Sequence, residues 1–323
     1  MDRDQGYAAH AAGALQDPAH LSRACLLQGY EPVPTDRPFR YIALGRGQDS
    51  ELSRAAAGHP HASFYAAACG APGAGGDAAP RQAAPSNLTL LKTGLADLAP
   101  AMEGQPPFDF IVLRGDYDRL PPEGRRHVVD FIVRHLNPGG IVHVGYNALP
   151  GGSTGHPLQR LLLEYQAAHA EAAGGAAAAA RRSVQALAGH GAAYFDSNPG
   201  MRALWEGLKD RSGDGLNRLE PLYFADVARA FAAAKLDFVG AATPPPAPAL
   251  TAQQREFLDQ APDPVLRETL KDYLHNTAYR SDLFVRGARR MHPLRRRQWE
   301  ERLGLTPADT HNNINRKVAH ELE

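Results

Sequence analysis

The chain has 323 residues with 35 basic and 35 acidic side chains, so no net field draws it to nucleic acid or to anionic lipid. Cys25 and Cys69 are its only cysteines and stand far apart, which argues against a disulfide framework and against a zinc site and fits a reducing cytoplasm. The polar start Met1 to Tyr7 leads into no apolar signal region, and the alanine-rich run Ala167 to Ala180 is broken by His169, Glu171, Gly174 and Gly175, so neither secretion nor membrane insertion is indicated.

The first predicted element is a helix with Asp17 as N-cap, Pro18 at its first position, Leu21, Cys25 and Leu26 as its apolar stripe, and Gly29 as its stop. A proline-rich turn, Glu31 to Pro38, delivers the chain to a strand from Phe39 to Leu44. That strand breaks into Gly45-Arg-Gly47, and a helix begins near Asp49. A buried parallel strand that ends in glycines and feeds a helix has the geometry of a nucleotide site. A lone Gly-x-Gly is equally the mark of a tight turn, and Ser50 stands where a dinucleotide enzyme would want its third glycine.

Ala62 to Cys69 reads as a second strand, and the breaker-rich stretch Gly70 to Ser86 as a mobile loop. Asn87 to Lys92 and Phe108 to Leu113 are the third and fourth strands. Pro121 to Leu136 is an amphipathic helix with Val128, Phe131, Ile132, His135 and Leu136 on one face, stopped at Asn137-Pro-Gly-Gly140. Ile141 to Tyr146 follows as strand five, giving the alternation of a doubly wound parallel sheet.

From Pro157 to about Gly215 the pattern is helical, with Leu158, Leu161, Leu162 and Tyr165 as one stripe and Tyr194, Phe195, Leu204, Trp205 and Leu208 as later apolar mass. Glu220 to Lys235 reads as a helix, Leu236 to Gly240 as a strand closed by Pro244 to Pro246, Thr251 to His275 as helices, and Asp282 to Arg286 as a last strand. The two late strands are expected to return to the edge of the first sheet, so the helices between are insertions. The basic stretch Arg286 to Arg297 reads as a solvated surface. The expected division is an N-terminal helical cap over residues 1–38, a Rossmann-like core over 39–156, helical insertions with the last two strands over 157–290, and a basic tail over 291–323.

Four segments together resemble one known family: strand one with Gly45-Arg-Gly47, then Phe108-Asp-Phe-Ile-Val-Leu-Arg-Gly-Asp-Tyr117, Leu136 to Gly151, and Glu220-Pro-Leu-Tyr-Phe224. They are similar to class I S-adenosylmethionine-dependent methyltransferases that carry a methyltransferase regulatory domain, a group that includes bacterial protein-lysine methyltransferases. The likeness runs from about Asp17 to Arg290, and Asn276 to Arg286 resembles the close of the regulatory region. It implies an α/β fold, a Rossmann-like seven-stranded sheet with large helical insertions, and S-adenosylmethionine lying across the carboxyl ends of strands one, two and four. By carry-over, Gly45 and Gly47 approach the cofactor's methionine part, and Arg114, Gly115, Asp116 and Tyr117 border the sulfonium; Asp49, standing where the family has its third glycine, is placed to reach the ligand's amino group. Tyr146 and Asn147 stand on the acceptor side. The implied acceptor is a nitrogen or oxygen, on a protein lysine in some members, which makes a protein the expected substrate or partner.

The departures from that family concentrate on the cofactor. Ala43 stands where an acidic residue usually precedes the glycines, the run Ala66 to Cys69 replaces the carboxylate that would accept the ribose hydroxyls, and Gly94 replaces the acid that would meet the adenine amino group. Each missing charge-assisted hydrogen bond costs roughly 1.5 to 3 kcal/mol. Two or three together predict affinity lower by on the order of a thousandfold, unless Asp49, Asp77 or Asp97 substitutes from a new position. Two readings therefore compete: a methyltransferase, and a non-catalytic relative kept as an interaction or regulatory module. A nicotinamide-dependent dehydrogenase explains less, since it too needs the third glycine and an acid ending strand two.

Among single residues, His143 reads as a packed core histidine, Asp116 and Asp118 as helix caps before Pro121, and the pairs Tyr194-Phe195 and Tyr223-Phe224 as helix packing. Arg114 is too basic to take a proton. His10, His20, His59, His61 and His156 show no ligand spacing and read as surface residues.

Overall fold

The structure, a computed structural model, describes residues 16–45, 50–68, 85–113, 117–169, 175–208, 220–242 and 249–302. Twelve helices and seven strands are described, in the order α1 (Pro18–Leu27), β1 (Arg40–Gly45), α2 (Ser50–Gly58), β2 (Ser63–Ala68), β3 (Leu88–Leu91), α3 (Leu95–Ala101), β4 (Phe108–Leu113), α4 (Pro122–His135), β5 (Leu136–Asn147), α5 (His156–Ala168), α6 (Ala176–Gly189), α7 (Ala193–Ser197), α8 (Pro199–Leu208), α9 (Phe224–Ala232), β6 (Leu236–Ala241), α10 (Ala252–Asp259), α11 (Pro264–His275), β7 (Tyr279–Arg286) and α12 (Pro293–Arg302). The expected loop from Gly70, the prolines at 244–246, Asp77 and the end of the tail lie outside the described residues, as do the side chains of Leu204 and Leu208.

The strands form one seven-stranded sheet in the order β3-β2-β1-β4-β5-β7-β6. β1 to β5 run parallel, and β7 runs antiparallel to both neighbours. The late strands do return to the first sheet, as expected from their sequence. Side chains alternate across a strand, and here both faces are buried. Ile42, Leu44, Ile111, Leu113, Val142, Val144 and Tyr146 pack under α3, α4 and α9. Tyr41, Ala43, Phe64, Ala66, Phe110 and Val112 pack with residues of α1 and α2 on the other face. Burial on both sides is why these strands read as continuous apolar runs. A separate cluster, from Leu158 and Leu162 through Val184 and Phe195 to Trp205, holds α5 to α8 together.

Three elements differ from expectation. β5 begins at Leu136, five residues early, because Asn137 to Gly140 form an irregular stretch between the pairs Phe108–Leu136 and Phe110–Ile141. Asn137 Nδ2 donates to Asp109 Oδ1 at 2.9 Å, and a Cβ on Gly140 would lie 2.7 Å from Leu136 Cδ1, so the glycine lets the chain fold back on itself. The helix expected from Glu220 starts only at Phe224, because Leu222 is extended and bridges Ala148.

The basic tail is the third. Trp299 of α12 is buried, Arg302 binds Asp36 through two bonds of 2.6 and 2.8 Å, Arg295 pairs with Glu31, and Arg290 covers the Tyr30 ring. Arg286 donates to the carbonyls of Leu136 and Val133 at the end of α4. This stretch is a clasp across the N-terminal segment, with charged groups serving as its fasteners. The first helix matches expectation: Asp17 accepts from the amides of Ala19 and His20 at 2.9 and 3.4 Å, and Leu21, Cys25 and Leu26 are buried. His20, His59 and His61 are not plain surface groups. Rings of His59 and His61 stand edge-on to Phe39, and His20 Nε2 lies 3.1 Å from the Ala242 carbonyl.

Candidate functional site

In an open α/β sheet the cleft lies outside the carboxyl ends of the strands, where the strand order reverses. Here the reversal falls between β1 and β4. Gly45 ends β1, opposite Ala68 at the end of β2, and Leu44 pairs with Leu113 at the end of β4. Gly47, Asp49, Arg114, Gly115 and Asp116, expected to hold a cofactor, lie outside the described residues.

What the described residues present at these strand ends is uneven. Ala66 and Ala67 are buried and Ala68 is exposed, while Gly94 caps α3 without a side chain. Asp97 sits exposed in the first turn of α3. Among the described residues no carboxylate stands at the end of β2, and Asp97 is the first one beyond β3. At the end of β2 the described residues therefore do not supply the usual charged grip on the ribose of S-adenosylmethionine.

Beyond β4 the chemistry changes. A short 3-10 turn, Tyr117–Arg119, follows the strand. Asp118 in this turn is fully buried, and its Oδ2 accepts from Asn147 Nδ2 at 2.8 Å. The second oxygen, Oδ1, has no hydrogen-bond partner. Burial pushes this carboxyl above its ordinary range, and the Asn147 bond only partly opposes it. Asp118 therefore does not cap the following helix, whose N-cap is Pro121 without a side-chain bond.

Tyr117, expected beside the sulfonium, and Tyr146, expected at the acceptor side, both candidates for the catalytic centre, are core residues. The Tyr117 ring stands edge-on to Phe231 at 5.5 Å, and burial pushes its hydroxyl up to about 12. Tyr146 is fully buried and donates to Asp282 Oδ2 at 2.8 Å. Its hydroxyl is thus already used, and parity gave the signal: Tyr146 shares a sheet face with Val142 and Val144. Asp282 Oδ2 also accepts from Arg280 Nε at 2.7 Å. Arg280 reaches Asp272 at 2.7 Å and Glu268 at 3.3 Å while lying 4.2 Å from the centroid of the Phe224 ring. His143 is the buried core histidine expected, with Nε2 2.8 Å from Ser281 Oγ. Tyr194 packs edge-on to Phe195 as expected; of the other pair, Phe224 packs edge-on to Phe238 of β6, whereas Tyr223 is exposed at the start of α9.

Asn147 is held by the chain behind it. Its carbonyl accepts from Leu222 N at 2.9 Å, and Leu149 N returns a bond to the Leu222 carbonyl at 3.0 Å. Ala148 N donates to Ala278 and Gly151 N to Thr277, at 2.9 and 3.0 Å. At Gly151 a Cβ would fall 2.2 Å from the Asn276 carbonyl oxygen, so only glycine permits this seam.

Comparison with known proteins agrees with this architecture. Residues 216–286 match the family model described as a predicted methyltransferase regulatory domain. An uncharacterized protein of Synechocystis, sll1526, is 29% identical over 293 residues, covering 84% of this chain and 55% of that protein. Two structures of PKMT2 from Rickettsia typhi, one in complex with AdoHcy, superpose with a TM-score of 0.67 at 18% and 20% identity. They cover 88% and 84% of this chain, and 55% and 53% of theirs. The chain thus spans about half the length of these relatives, and the structural likeness establishes the class I methyltransferase fold.

Proposed function

We propose that this methyltransferase-like chain, with its class I fold and regulatory segment, transfers a methyl group from an S-adenosyl donor to a nitrogen or oxygen of a protein, a lysine being the favoured acceptor. The observation that carries the reading is the sheet order itself, with β1 ending in Gly45 at the switch point and the regulatory segment sewn to the end of β5. PKMT2 supports it through a shared fold and through a structure in complex with AdoHcy. The Synechocystis relative supports a bacterial setting, and the isolated cysteines support a cytoplasmic one.

The donor, when bound, supplies an electrophilic methyl group on a sulfonium. This chain's own contribution is alignment and exclusion of water, since in-line transfer gains most from holding the reactants in register. We assign Asn147 to the acceptor side, where it orients the Asp118 carboxylate. Gly45, with Gly47, Asp49, Arg114, Gly115 and Asp116, is assigned to the donor side. Tyr117 and Tyr146 act as packing beneath it.

Calorimetric titration and thermal shift with S-adenosylhomocysteine test the proposal. Binding at high-micromolar to millimolar ligand is expected, weaker than a fully gripped cofactor by the margin estimated above. A ligand at its Kd stabilises by about 0.4 kcal/mol and at ten times its Kd by about 1.4 kcal/mol, so silence at about 10 mM would overturn methyl transfer. The non-catalytic reading, favoured by the run Ala66 to Ala68, would then stand.

A further inference from the structure

We infer that α11 is a strap held on the sheet by charge, and that its release frees the chain at the end of β5. The inference goes beyond the proposed function and holds whatever donor or acceptor the cleft takes. Helices in proteins draw most of their stability from an apolar face buried against the fold, as α4 does through Val128, Phe131 and Ile132. Of the 12 residues of α11 only one is buried, and it is Asp272. Val265 is partly buried against the core, whereas Leu266 and Tyr273 are 38% and 56% exposed. What fastens the helix is Arg280 of β7, whose Nη1 donates to Asp272 Oδ1 at 2.7 Å and whose Nη2 donates to Glu268 Oε2 at 3.3 Å. Lys271, a cation of the helix itself, lies 3.4 Å from Glu268.

Such a latch fixes position yet opens readily. On release Asp272 and Glu268 regain water, which offsets much of the attraction they lose, and Arg280 keeps Asp282, whose Oδ2 accepts from its Nε. Burial raises the Asp272 carboxyl and Arg280 only partly opposes it, so docking the helix carries a desolvation penalty that opening relieves. Scarcity of buried apolar contacts is also the mark of segments that open locally. The helix is joined to both legs of the seam. At its end Asn276 takes a left-handed conformation, φ 48°, and Thr277 N donates to the Asp272 carbonyl at 2.9 Å. Thr277 and Ala278 then accept from Gly151 and Ala148. On the other leg the Tyr273 side chain hydrogen-bonds with that of Tyr223, next to Leu222. Lifting α11 therefore loosens both legs and the end of β5 between them, whereas a helix that only frays at the surface would leave the seam closed.

The test is hydrogen exchange of the full chain at neutral pH, read by mass spectrometry on peptides from α11, from residues 148–151 and from β4. In the parent chain α11 and the seam should share one protection factor, at least about tenfold below that of β4. Protection of α11 equal to that of β4, or of the seam above that of α11, overturns the inference. Asp272→Ala removes the buried half of the latch while Arg280 keeps Asp282, and should lower the protection of α11 and the seam together by at least about tenfold, as expected for a charged hydrogen bond. Unchanged protection of α11, or a fall in α11 that the seam does not follow, overturns the inference. If Asp272→Ala does not fold, Glu268→Gln serves in its place: both should fall by about threefold or more, with the same two outcomes counting against the strap.

Discussion

Replacing Arg280 by methionine should be among the most damaging single changes in this chain. Its guanidinium holds Asp282 and Asp272 at 2.7 Å and Glu268 at 3.3 Å, and the side chains of Arg280, Asp272 and Asp282 are 7%, 4% and 1% exposed. Removing one partner of a buried ion pair costs about 3–5 kcal/mol, because the remaining charge is left uncompensated. For a chain of this size that is a fall in thermal midpoint of roughly 4–7 °C. The loss should depend on pH. Burial, opposed by Arg280, raises the Asp272 carboxyl from 3.8 to about 6. A carboxyl raised on folding binds its proton more tightly in the native state, so its contribution is present below the unfolded value and is lost as pH rises through about 6. Without the guanidinium both aspartates hold protons to still higher pH, so the variant's deficit should be largest near pH 8 and smaller near pH 5. Adding Asp272→Asn should recover part of the loss at pH 8. Thermal scans across that range, of the parent and both variants, make the comparison. A deficit that is independent of pH and unrelieved by Asp272→Asn would refute the charge argument and leave only lost packing on Phe224.

Two other changes probe the cleft and its rear wall. Ala68→Asp places a carboxylate at the end of β2, opposite Gly45, and should tighten S-adenosylhomocysteine by roughly 10–100-fold, the value of about 1.5–3 kcal/mol in charge-assisted bonds; calorimetry showing no gain would mean that the nucleoside does not lie there. Gly151→Ala would set a methyl group 2.2 Å from the Asn276 carbonyl oxygen and should cost about 1–3 kcal/mol as the seam is forced apart; an unchanged unfolding midpoint would show that the seam yields freely.

How far the sequence could be read follows the range of the interactions. α1 coincides with its Asp17-Pro18 start because the cap is made within a few residues, and β4 with its apolar run because burial on both faces leaves a continuous apolar signal. Asn137 to Gly140 read as a stop because glycine and proline do end helices, yet the Asn137–Asp109 bond makes the same residues the irregular start of β5. Tyr146 reads as a cleft residue from its place at a strand end, while its hydroxyl is claimed by Asp282, 136 positions later. Asp118 carries no local mark at all. Flanking Tyr117 in an Asp-Tyr-Asp sequence it looks like a cap, and only the arrival of Asn147 from the next strand gives it a different role.

That arrival ties the candidate site to the segment that matches the regulatory-domain model. Residues 216–286 meet the end of β5 twice, at Leu222 on one side and at Thr277 and Ala278 on the other, through four backbone hydrogen bonds spread over Asn147 to Gly151. Backbone bonds of this kind fix position more firmly than side-chain contacts, since no rotamer can release them. The Asn147 amide is thus placed jointly by a core strand and by the segment that closes the sheet, and it in turn places the Asp118 carboxylate.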